Sequence, residues 1–119
     1  MDSFTQIVDE LRAPTREFRR AAPDAWAGFG ALHAAAVADG AVSGRIKELV
    51  ALAIAVAGHC DGCVAYHARA AAQKGATREE TAEILAVALL MAGGPASVWA
   101  PRALAAFDEF VVADETEAA

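Results

Sequence analysis

Clustered positive charge, long apolar runs, aromatic rings and cysteine are all in short supply in this sequence, and each shortage closes off a class of function. Its Lys and Arg residues number 10 against 16 Asp and Glu, for a net charge of −6, and only Arg16, Arg19 and Arg20 stand near one another. A phosphate backbone is bound by a basic stripe or patch, so nucleic acid is not an expected partner. The apolar runs Leu49–Ala57 and Ile84–Ala92 are short, whereas a membrane-spanning helix takes roughly 20 such residues. With an acidic N-terminus that lacks a signal-peptide pattern, the expected setting is cytoplasmic, with no membrane partner.

Apolar residues are what the chain has in quantity. They make up 56% of it, with a mean hydropathy of +0.31 in 12.3 kDa, and aromatics contribute only 7%. A single domain of 119 residues has a modest interior for its surface. That much apolar surface is more than one small helical layer hides, so a homo-oligomer is expected.

Val and Ile fall in Ala-rich, 3.6-period patterns rather than in alternation, which predicts an all-α fold of about six helices. The first runs from Asp2 to about Arg20 and is weakened or bent at Pro14. Pro23 suits the first turn of a second helix reaching about Ala38, and Asp39-Gly40 ends it. Ser43 is a candidate N-cap for a third, with Ile46, Leu49, Val50, Ala53, Ile54 and Ala57 on its buried side and Gly58 as its stop. A fourth runs to about Lys74 and is closed by Gly75. Thr77 and Glu80 form a capping-box pattern for a fifth, through Met91. After Gly93-Gly94-Pro95 a sixth extends to about Val112 and carries Trp99, Leu104, Phe107 and Phe110. The whole of 1–119 reads as one domain with its core over about 23–112, and 113–119 as a flexible acidic tail.

Chemistry is concentrated in one place. Both cysteines and two of the three histidines lie in His59-Cys60-Asp61-Gly62-Cys63-Val64-Ala65-Tyr66-His67. Two intervening residues let the thiols of Cys60 and Cys63 meet at a helix start, where free N–H groups and the helix dipole favour thiolate. His67, four residues past Cys63, falls on the same helical face. A lowered thiol pKa raises thiolate supply but lowers nucleophilicity, so thiolate alone makes a weak catalyst. Protonating a leaving oxygen or sulfur is worth about 10² to 10⁴ in rate, and His67 is the nearest candidate donor. Glu48 is the candidate carboxylate behind it. On one continuous helix Glu48 and Cys60 would stand roughly 18 Å apart at about 1.5 Å per residue. In an antiparallel hairpin turning at about Ala57-Gly58, Glu48 and His67 can face each other.

The assembled pattern, E-x11-C-x2-C-x3-H over Glu48, Cys60, Cys63 and His67, resembles the alkyl hydroperoxidase D-like branch of the carboxymuconolactone decarboxylase family. The likeness covers about Arg45 to Met91, and the Met91-to-Pro95 break before an amphipathic helix is similar too. It implies an all-helical fold assembling as dimers, trimers or hexamers, and a thiol-dependent peroxidase or disulfide oxidoreductase activity without an organic cofactor or a metal. Cys63 would attack a hydroperoxide, Cys60 would resolve the product to a disulfide, and His67 and Glu48 would move protons. An external thiol or disulfide reductant would reopen the bond. Where the peroxidase of that branch has a histidine before the second cysteine, this chain has Gly62.

Other readings of the same residues remain open at this point. His67 and Glu48 could serve acid–base chemistry in a lyase of the wider family, with the cysteines peripheral. Cys60, Cys63 and His67, with His59 or Glu48 as fourth ligand, could hold zinc in a non-enzymatic interaction module. Haem attachment fails, because Val64 stands where C-x-x-C-H needs histidine. Arg45 and Lys47 are alternative partners for Glu48. His59 lines the site or ends the preceding helix, His33 is assigned a structural role in its Ala-rich helix, and Tyr66 a packing role.

Overall fold

The computed structural model describes residues 3–118. Six helices follow one another: α1 Phe4–Ala21, α2 Pro23–Val37, α3 Gly44–Ala57, α4 Asp61–Gln73, α5 Arg78–Ala92 and α6 Ala96–Ala118. Among the described residues there is no strand. Short-range signals start and stop most of them. Ser43 caps α3 by accepting the Ile46 N–H, and Thr77 and Glu80 form the reciprocal box that opens α5. Gly75, at φ 84°, turns the chain after α4, a conformation that costs a residue with a side chain roughly 1–2 kcal/mol. A second box, Ser3 with Gln6, opens α1, and the Glu109 carboxylate of α6 accepts the Phe4 N–H at 3.1 Å. Negative charge is favoured there by the unpaired N–H groups of the helix start.

α4 is the centre of the packing and lies against α6, α3 and α1. Its buried face is Val64, Ala65, Ala68 and Ala71, spaced to form one stripe. Opposite it, α6 buries Ala96, Ala100, Ala103, Phe107 and Phe110. Alanine predominates on both surfaces, and Phe107 and Phe110 supply the aromatic part of the α6 face.

Two sequence expectations are corrected, the buried face of α3 and the end of α6. α3 presents Glu48, Leu49, Leu52, Ala55 and Val56 to the interior; Ile46 and Ala53 are half-buried, while Val50, Ile54 and Ala57 are exposed. This helix is apolar on almost every side, so its composition does not orient it, and the side chains that pair with Glu48 do. α2 buries no side chain at all. α1 continues through Pro14 as one helix. α6 runs on past Val112 to Ala118, so Asp114 to Ala118 are helical where a tail was expected, and Thr116 Oγ1 donates to the Val112 carbonyl; Ala119 lies outside the described residues.

Candidate functional site

The α3–α4 connection is three residues long and tightly bonded. The Gly58 N–H donates to Ile54 O, the His59 N–H to Val56 O and the Cys60 N–H to Ala55 O. His59 is the one non-glycine residue at positive φ, 55°, among the described residues, and the bonds on either side of it hold that turn. Cys60 then sits as the N-cap of α4, its sulfur accepting the Cys63 N–H at 3.2 Å. Cys60 and Cys63 form a disulfide, with their Cα atoms 5.2 Å apart. Cys60 is half-buried and Cys63 exposed. With both sulfurs in this bond, neither is a thiolate ligand, and the cysteine zinc set considered from the sequence is not assembled.

The hairpin brings Glu48 of α3 to His67 of α4, Oε2 to Nδ1 at 2.7 Å. A carboxylate only accepts, so the ring Nδ1 donates and the Nε2 position is left over. Glu48 is 1% exposed, and a charge so far from water needs partners. One is His67. The other is Lys74, the C-cap residue of α4, whose Nζ lies 3.6 Å from Oε1. The partners considered from the sequence are engaged elsewhere: Arg45 pairs with Glu80 of α5, and Lys47 donates to the Ala38 carbonyl.

His33, assigned a structural role from its Ala-rich surroundings, is an exposed residue of α2 whose ring stacks on that of His67, centroids 6.1 Å apart. Donor atoms of His33, Glu48 and His67 all lie within 4.8 Å of one another. His59 points to a different neighbour, stacking flat on Trp99 of α6 at 5.8 Å, and Arg102 lies 4.2 Å from the Trp99 ring centroid. Tyr66 is half-buried, with Arg69 over its ring. Gly62 is crowded: a Cβ there would lie 3.2 Å from Leu11 of α1, so a larger residue between the cysteines would require Leu11 to shift. Sequence reasoning missed His33 because it comes from a separate helix with no spacing relation to the cysteines, whereas Lys74, seven residues past His67 on the same face of α4, carried a helix-period signal that could have found it.

A model of the carboxymuconolactone decarboxylase family matches residues 23–107, from the start of α2 into α6. The chain belongs to the carboxymuconolactone decarboxylase family. The crystal structure of an apo carboxymuconolactone decarboxylase family protein from Legionella pneumophila has the same architecture, with a TM-score of 0.88 at 41% identity over 91% of this chain and 96% of that one. An uncharacterised protein of Cupriavidus necator is 44% identical over 107 residues, 87% of this chain and 95% of its own length. Uncharacterised protein 4 in the cox locus of Paracoccus denitrificans is 41% identical over 81 residues, 68% of this chain and 73% of that protein. Every residue of the site, His33 and Lys74 included, falls within the carboxymuconolactone decarboxylase span. α1, which crowds Gly62, precedes it.

Proposed function

We propose that the chain is a thiol-dependent peroxidase or disulfide oxidoreductase of the alkyl hydroperoxidase D-like kind, working in the cytoplasm as a homo-oligomer. The observation that carries this reading is the Cys60–Cys63 disulfide at the start of α4, one helical turn before a histidine held by a buried carboxylate. In the reduced protein the exposed Cys63 thiolate attacks the terminal oxygen of a hydroperoxide. An S–O bond forms, the O–O bond breaks, and the leaving alkoxide takes a proton supplied through His67, giving an alcohol and a sulfenic acid. Cys60 then displaces hydroxide from Cys63, which leaves as water with a proton, and the disulfide closes. A dithiol reductant returns two electrons by exchange. Glu48 holds the His67 ring in the tautomer that donates from Nδ1, and Lys74 balances the carboxylate's other oxygen.

Assembly into oligomers is supported by apolar side chains left uncovered in the single chain, among them Phe29 and Leu32 of α2, Ile54 of α3 and Leu90 and Met91 of α5.

Free-thiol titration of the reduced protein, before and after one equivalent of a hydroperoxide, tests the cycle. Two thiols should disappear and return with dithiothreitol, and the Cys63→Ser variant should lose this response entirely. His67→Gln should slow thiol loss by about 10² to 10⁴. The buried Glu48–His67 pair also suits the acid–base lyase, so full turnover on any substrate by Cys63→Ser would favour that chemistry over the thiol cycle.

A further inference from the structure

We propose that His33, Glu48 and His67 form a binding site for a divalent transition-metal ion of the zinc and cobalt class, with water completing its coordination. The thiol cycle makes no use of His33, yet the fold sets this residue over the buried pair. Three separate helices, α2, α3 and α4, contribute one donor each, and the three donor atoms lie within 4.8 Å of one another. Zinc takes imidazole nitrogen and carboxylate oxygen at about 2.0 to 2.2 Å, so two ligands at the tetrahedral angle stand roughly 3.4 Å apart. Closing the remaining gap takes a side-chain movement of about 1 Å. That movement falls naturally to His33, which is exposed on a helix that buries nothing, while Glu48 is fixed in the interior.

Donor chemistry narrows the ion. Two imidazoles and one carboxylate suit zinc, cobalt, nickel or iron, whereas calcium and magnesium favour all-oxygen sets. The exposed side at His33 leaves room for water, the pattern of a site with an open position rather than a closed structural one. Lys74 works against the ion. Its ammonium lies 3.6 Å from Oε1 of Glu48, leaving Oε2 as the ligand atom and repelling an incoming cation. Removing that charge should therefore tighten binding.

The site shares Glu48 and His67 with the proposed thiol cycle but needs neither cysteine, so it is tested in the oxidised protein, where both sulfurs are bonded to each other. Full-length, untagged protein is stripped with a chelator and titrated with Co²⁺ by visible absorption and with Zn²⁺ by calorimetry. One ion per chain is expected. His33→Ala and Glu48→Gln should each weaken binding by at least roughly tenfold, the loss that even outer partners of a metal ligand produce. Lys74→Met should strengthen it, and His59→Gln, which alters the chain's remaining histidine, should leave it unchanged. Because His33 is exposed, His33→Ala keeps the test open if Glu48→Gln does not fold; its circular dichroism in metal-free buffer should match the parent protein. Binding unaffected by His33→Ala, binding abolished by His59→Gln, or no ion bound at millimolar Co²⁺ would each overturn the site.

Discussion

α2 and α3 are neighbours of similar length and similarly apolar composition, and their fates are opposite. α3 lies against α4, α5 and α6 and buries a charged residue along with its leucines. α2 has Asp24 and His33 as its chargeable residues, meets α1 and α3 at its margins, and buries nothing. Apolar content therefore does not decide which helix enters a core; the number of neighbouring elements does. Glu48 can be buried because α4 brings His67 and Lys74 to its two oxygens, while Phe29 and Leu32 stay in water because their own chain supplies no surface to cover them. What α3 finds within the chain, α2 would have to find in another copy.

This contrast can be broken in three places. Leu52→Ala removes a fully buried side chain of α3 and should lower stability by about 2–5 kcal/mol, read as a fall in the urea midpoint at constant slope. A loss of no more than about 0.5 kcal/mol, the size of a surface change, would mean that α3 is not the interior helix. Glu48→Gln keeps the shape of the side chain and removes its charge. With His67 and Lys74 both partly open to water, its expected cost is about 1.5–3 kcal/mol, measured by the same titration. The smallest effect belongs to α2. Leu32→Ser, at a side chain 66% exposed, should change the stability of dilute protein by no more than about 0.5 kcal/mol. At high concentration the same change should lower the sedimenting mass, if α2 is an assembly surface. A large loss at dilution would show that α2 packs within its own chain and would erase the contrast.

Where the sequence could be read, it was read from neighbours along the chain. Ser43, Gly58, Gly75 and the Thr77–Glu80 box mark helix ends, because capping and left-handed turns are decided within four residues. The same locality placed Cys60, Cys63 and His67 on the first turns of one helix. The hairpin that sets Glu48 opposite His67 was accessible too, since it needs only a break at Gly58 and two helices of known rise. Less was legible at the ends: the Ser3–Gln6 box and the length of α6 beyond Val112 were not expected.

The sequence by itself determined an all-helical chain, the breaks between its helices, and a dithiol one turn ahead of a histidine, because each depends on backbone preferences and residue spacing over a few positions. Only the tertiary structure decided which face of α3 turns inward, that Lys74 rather than Arg45 or Lys47 meets Glu48, and that His33 arrives beside His67 from a distant helix. A helix apolar on nearly every side carries no directional signal of its own. Its orientation, and the company its charged residue keeps, are set by which elements pack around it.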